Sequence, residues 1–210
     1  MSPSLQSLRN GIKAKIYAGG PARIYGPAYR KLAEPLTPGD GPFLDLGCGS
    51  GSLVAAIAQK LPDVRVVGID RNPAAVQDAL RRLGDSAQAE LTVMDGEDLR
   101  FSGESFQTVF AIQNLMHWRD PGAVLAEIHR VLRPGGALRI YQAGGGPIPS
   151  DWLERSRIGW PSDRVLRVRW KRYQPTEAFL RSLPQLLASS GFSGVQQSHE
   201  GFYRRWVAEK

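Results

Sequence analysis

Cysteine is nearly absent. Cys48 is the only one in 210 residues, so no internal disulfide can form, and the cytoplasm is the expected compartment. Histidine is scarce as well, with three in the chain, and no metal site is expected. No apolar run approaches the roughly 18 residues that a membrane span needs, so no such span is expected. The opening stretch MSPSLQSLRNGIKAKIYAGG has no continuous apolar core followed by a small-residue cleavage site, so no signal peptide is expected. There is no internal repeat. Acidic residues are in deficit, 20 against 27 Lys and Arg, for a net charge of +7. That balance permits nucleic acid or an anionic surface as partner without establishing either. Part of the excess is local: RVLRVRWKR, Arg164 to Arg172, carries five cations in nine residues. It reads either as a solvated basic face or as an RNA contact.

What the chain does have is alternation. Hydrophobic residues make up 42%, enough for a sizeable core in one domain. From FLDLG onward, short apolar runs alternate with helical patterns. VRVVGID, AELTVM, FQTVFAI and GALRIYQA read as further strands; SLVAAIAQKL, PAAVQDALRRL and GAVLAEIHRVL read as helices, with Pro73 in the first turn of the second. Strands separated by helices of ten or more residues imply a parallel sheet with right-handed crossovers. The expected fold class is therefore α/β, doubly wound, with helices on both faces.

The rhythm changes at either end. Residues 1–40 suggest helices packed over one edge, a helical cap before the core at 41–143. Residues 144–175, rich in Gly, Pro, Trp and Arg, form a variable segment suited to a substrate-covering lid. In residues 176–210 a helix follows, with Thr176 as N-cap, Gly191 as C-cap, and a kink or break at Pro184. GVQQSHEG and FYRRWVAEK then make a terminal hairpin.

Chemistry concentrates around FLDLGCGSGSL, residues 43–53. Strand, glycine loop and helix let a backbone approach an anionic ligand at a helix N-terminus, and glycine supplies both room and positive φ. Asp70 closes the second strand roughly 20 residues on, where an acid can take ribose hydroxyls. Asp95 closes the third. With Asp45 these acids converge on the carboxyl ends of successive strands, where open α/β sheets bind ligands. The spacing departs from the dinucleotide fingerprint G-x-G-x-x-G, since the glycines stand at Gly47, Gly49 and Gly51 and position 52 is Ser.

In LDLGCGSG, GIDRNP, MDGEDLRF and FQTVFAIQNLMHWRDPGAVLAEIHRVLRPGGALRI the chain resembles the class I S-adenosylmethionine (SAM) dependent methyltransferases. The likeness covers roughly residues 20–199 and is nearest to the subgroup with the ubiquinone- and menaquinone-biosynthesis enzymes. It implies a mostly parallel seven-stranded sheet with an antiparallel C-terminal strand, SAM as cofactor and S-adenosylhomocysteine as product. By the same resemblance, Asp45 and the backbone of Gly47, Gly49 and Gly51 hold the methionine part. Asp70 takes the ribose hydroxyls, Arg71 lies along the adenine, and Asp95 accepts from the adenine amino group beside the Gly96 and Glu97 backbone. Gln113 flanks the methionine part and the reacting methyl. One departure is Gln107, where the family usually has Asp.

Methyl transfer asks a protein for alignment and a dry pocket, and a neutral nucleophile can also need a base. His117, after the fourth strand, is the candidate for base or substrate contact; it can equally shape that loop. His129 reads as structural, and Cys48 as a small buried filler. Trp152, Trp160 and Trp170 can wall a substrate pocket or pack the lid. No cysteine serves pyrimidine-carbon methylation, and AIQNLMHW lacks the Asn/Asp-Pro-Pro-aromatic stretch of adenine-amino methyltransferases. The expected function is methyl transfer to an O, C or N atom of a small molecule. RNA methylation through Arg164–Arg172, and SAM binding without transfer, stay open as alternatives.

Overall fold

The computed structural model describes residues 28–83, 88–143, 174–200 and 203–210. Among these, seven strands form one sheet: β1 (Phe43–Leu46), β2 (Val66–Asp70), β3 (Ala89–Val93), β4 (Phe106–Ile112), β5 (Leu132–Ala143), β6 (Ser193–Glu200) and β7 (Tyr203–Glu209). Their spatial order is β3-β2-β1-β4-β5-β7-β6. The first five run parallel, while β7 is antiparallel to both β5 and β6. This is the Rossmann-like methyltransferase fold. Strand order reverses between β1 and β4, which places the ligand crevice of such a sheet outside their carboxyl ends.

Burial on both faces explains the continuous apolar runs of the central strands. All four residues of β1 are buried. On one face, α1 (Ser52–Lys60) sets Leu53, Val54 and Ile57 in a cluster with Phe43, Phe110 and Ile112, and Leu83 of α2 (Pro73–Leu83) packs against it. On the other face, α3 (Pro121–Val131) and α4 (Glu177–Ser189) bring Leu125, Ile128, Leu183 and Leu187 into a cluster with Val109, Leu138, Ile140 and Trp206. Side chains alternate along β5 accordingly, Leu138 and Ile140 to one cluster, Tyr141 and Ala143 to the other.

Local chemistry sets the helix ends. Asn72 caps α2 through Oδ1, which accepts from Ala74 N at 3.1 Å, with Pro73 at the first position. Asp120 caps α3 by accepting from Ala123 N, and Thr176 caps α4 by accepting from Phe179 N at 3.2 Å. The C-cap of α4 is Ser190; Gly191, one residue further, takes φ of 92°. A side chain there would press His129 at 3.1 Å. His129 stacks edge-on against Phe192 with centroids 5.2 Å apart, a packing role.

One expectation changes. Pro184 does not end its helix: α4 runs unbroken from Glu177 to Ser189, because Leu180, Leu183 and Leu187 hold it to the sheet. Residues 28–33 are helical, and Ala28, Leu32 and Leu36 join the cluster of α1 and Phe43. Gln107 takes a local structural role, donating from Nε2 to Gly135 O at 3.0 Å. Among the described residues, no helix is long and apolar enough to cross a membrane. Residues 1–27 and 144–173 lie outside the described residues, and with them Tyr17, Tyr25, Trp152, Trp160, Trp170 and the Arg164–Arg172 stretch.

Candidate functional site

The glycine loop stands between β1 and α1, beside the switch point. Gly47, Gly49 and Gly51 all take positive φ, 71°, 51° and 70°, the left-handed conformation that L side chains resist. At two of the positions the missing Cβ also serves packing. At Gly47 it would meet Asn114 Nδ2 at 2.9 Å, and at Gly51 the Ala79 Cβ at 2.9 Å. The sequence reading assigned all the room to a ligand; Asn114 and α2 take part of it. Cys48 N donates to Ile69 O at 2.8 Å and Gly51 N to Cys48 O at 2.9 Å, so the loop is pinned to the end of β2.

Asp70 closes that strand and completes the pin. Its Oδ2 accepts from Gly49 N at 3.0 Å and its Oδ1 from Asn72 N at 2.8 Å. Each oxygen keeps a further lone pair for a hydroxyl. Asp45, in β1, is 4% exposed. Burial pushes its carboxyl up to about 8, and the Asp70 charge adds to the effect. The Cys48 thiol is likewise pushed above its usual range, first by burial and then by Asp45 and Asp70, which makes it inert as a nucleophile.

Asp95 and Glu97, after β3, are joined to Arg119, which precedes α3. Arg119 Nη2 reaches Asp95 Oδ2 at 2.7 Å and Glu97 Oε2 at 3.1 Å. Glu97 Oε1 also accepts from Arg119 N at 3.1 Å and Asp120 N at 3.2 Å. The guanidinium holds the Glu97 carboxyl below the usual range. Gly96 lies close over Leu46, with 3.3 Å to Cδ1 from a Cβ built there. Arg71 is exposed beside Asp70.

Gln113 follows β4 directly. It is one of two described non-glycine residues with positive φ, 54°, a conformation uncommon outside glycine and asparagine that is worth relating to function. Its Oε1 accepts from Gln142 Nε2 at 2.7 Å, while its buried Nε2 has no partner among the described residues. Asn114 is buried and donates from Nδ2 to Leu46 O. His117 ends a 3-10 turn, Leu115–His117, and is exposed.

The structure thus brings the glycine loop, Asp45 and Asp70 into direct contact or electrostatic coupling. Asp95, Gly96 and Glu97 stand together at the end of the neighbouring strand. Sequence reasoning missed Asn114, Arg119 and Gln142. The polar pair in AIQNL and the lone glutamine in RIYQA were the available signals.

The crevice has the chemistry SAM requires. Asp70 offers acceptors for hydroxyls, the loop is glycine-built, and a buried N–H donor without a partner among the described residues remains at Gln113. A methyltransferase-domain family model matches residues 43–136. The chain is 36% identical to the O-methyltransferase cnsE of Penicillium expansum over 79% of this chain and 57% of that one. It is 30% identical to the nocamycin O-methyltransferase of Saccharothrix syringae over 203 residues, 89% of this chain and 72% of that one. In fold it is similar to a Methanococcus maripaludis protein assigned to the S-adenosyl-L-methionine-dependent methyltransferases, with TM-score 0.74 at 19% identity over 100% of this chain and 97% of that one. The matches span 27–57% of the length of three curated relatives, cnsE among them. Fold and relatives together define a class I methyltransferase. The chain belongs to the SAM-dependent methyltransferase family.

Proposed function

We propose that the protein transfers a methyl group from SAM to an oxygen, carbon or nitrogen atom of a small molecule. The observation that carries this reading is the hydrogen bond from Gly49 N to Asp70 Oδ2 at 3.0 Å. It locks the glycine loop against the acid that suits a ribose, at the switch point of a methyltransferase fold. When bound, SAM supplies a methyl group already activated by its sulfonium. Asp70 takes the ribose hydroxyls through its remaining lone pairs. Arg71 lies along the adenine, and Asp95, steadied by Arg119, accepts from its amino group beside the Gly96 and Glu97 backbone. Asp45 and the loop at Gly47, Gly49 and Gly51 hold the methionine part, flanked by Gln113. His117 is the proposed base for a hydroxyl acceptor.

Oxygen is the favoured acceptor atom, because two relatives matched over 79% and 89% of this chain are named O-methyltransferases. Both of those names support a small molecule over RNA. The finer resemblance to quinone-biosynthesis enzymes suggests a planar hydroxylated ring as one acceptor to try first. Since the described residues account for the cofactor half of the crevice, residues 1–40 and 144–175 are assigned to acceptor selection. The single, buried Cys48 agrees with a cytoplasmic setting.

The test offers methyl-labelled SAM with hydroxylated ring compounds, amines and acids in one arm, and tRNA and ribosomal RNA fragments in another. RNA binding is measured alongside at about 0.15 M salt, where the Debye length is near 8 Å. Label on a small molecule with release of S-adenosylhomocysteine is expected. Label on RNA supports the RNA reading, and cofactor binding without transfer supports a regulatory one. Asp70→Ala should weaken S-adenosylhomocysteine binding by about 1–3 kcal/mol, measured by calorimetry.

A further inference from the structure

Three glutamines, distant in sequence, form a partly buried amide chain, centred on Gln142, at the carboxyl end of β4 and β5. Gln142 is 0% exposed. Its Nε2 donates to Gln113 Oε1 at 2.7 Å and to Gln174 Oε1 at 2.8 Å. A carboxamide nitrogen has two hydrogens, so both are used. This has a directional consequence. Gln113 is forced to present its oxygen to Gln142 and its NH₂ away from it. The NH₂ is buried without a partner among the described residues. The backbone that carries it is in the left-handed region at 54° and is tied to β5 by the bond from Gln113 N to Tyr141 O at 2.9 Å. A buried donor without an acceptor costs free energy, and strain of this kind gathers at ligand sites.

We propose that Gln142 is a positioning residue which, together with Gln174, fixes Gln113 so that its Nε2–H donates to the carboxylate at the methionine end of SAM. The inference rests on the reading of the crevice as a SAM site. That end of the ligand carries one ammonium and one carboxylate. Asp45 and Asp70, the acids beside the glycine loop, complement the ammonium and the hydroxyls. They repel a carboxylate, which requires an N–H donor, and Gln113 supplies one with its polarity set by Gln142. A hydrogen bond to a charged partner is among the stronger ones.

The test compares two ligands by calorimetry with the full chain. S-adenosylhomocysteine carries the amino acid end, and 5′-methylthioadenosine lacks it. Three variants are used. Gln142→Glu keeps the volume but, when ionised, accepts instead of donating, so the Gln113 amide turns its oxygen to the crevice. Gln142→Leu removes the donor. Gln113→Asn tolerates the positive φ and withdraws the amide by one methylene; it carries the test of the donor should either Gln142 variant fail to fold. Each should weaken S-adenosylhomocysteine by about tenfold or more and leave methylthioadenosine within about twofold, a split that a merely structural role would not produce. Equal weakening of both ligands, or no change in either, overturns the proposal. Failure of the wild type to bind S-adenosylhomocysteine is a different result and overturns the SAM reading itself.

Discussion

Asp45 is the residue whose environment departs furthest from that of a free carboxylate. Its folded value of about 8 stands well above the 3.8 of an ordinary aspartate. Between these values the native state holds a proton that the unfolded state has lost. Stability from this group is therefore fully present below about pH 4 and declines as pH rises to about 8, by up to about 1.4 kcal/mol per pH unit. Asp45→Asn should flatten that decline, as measured by denaturant unfolding across the range. An arriving ammonium favours the ionised form, so binding of S-adenosylhomocysteine near pH 7 should release a proton. Calorimetry in buffers of different ionisation enthalpy reads this directly, and in Asp45→Asn the release should vanish. Much at this level was legible in advance. Glycines at alternate positions foretold positive φ, and Asp70 foretold a crevice. Gln142 was not legible, because a polar residue inside an apolar strand does not reveal which side chain it will meet 29 residues away. Asn114 was hidden for the same reason, since its partner Leu46 is 68 positions distant.

Helices and strands were read with more success where a cap or a period marked them. β4 was anticipated residue for residue, and Thr176 and Pro73 signalled true helix ends, while Gly191 fell one residue past the actual C-cap, Ser190. Pro184 misled, because a local rule about a missing N–H was outweighed by burial of Leu180, Leu183 and Leu187 against the sheet. The helix still bears the cost, as Leu180 O is denied its helical donor. Pro184→Ala should stabilise the protein by about 1–2 kcal/mol, the helix gain reduced by the entropy the unfolded chain recovers. Chemical denaturation would show it as a rise in midpoint at constant m-value. Gly47→Ala should act in the opposite sense, by about 1–3 kcal/mol, since φ of 71° and Asn114 Nδ2 at 2.9 Å both oppose a side chain. The same denaturation experiment measures that loss.

Across the molecule, alternating strand and helix patterns were enough to give the parallel sheet and its two helical layers. The resemblance added a seventh strand, antiparallel to its neighbour, but the order β3-β2-β1-β4-β5-β7-β6 was not legible, since periodicity carries no information on which strands become neighbours. The positive charge of +7 said little about partners; Arg164–Arg172 lies outside the described residues, and the relatives favour small molecules. The proposed function needs a single crevice in which the glycine loop, Asp45, Asp70, Asp95 and Gln113 meet one ligand. The dinucleotide alternative shares the order of the five parallel strands but needs a different glycine spacing. Titrating the protein separately with S-adenosylhomocysteine and with NAD in a calorimeter distinguishes the two. One equivalent of S-adenosylhomocysteine should bind, with no heat from NAD; saturable binding of NAD, with none of S-adenosylhomocysteine, would contradict the assignment of the crevice to SAM.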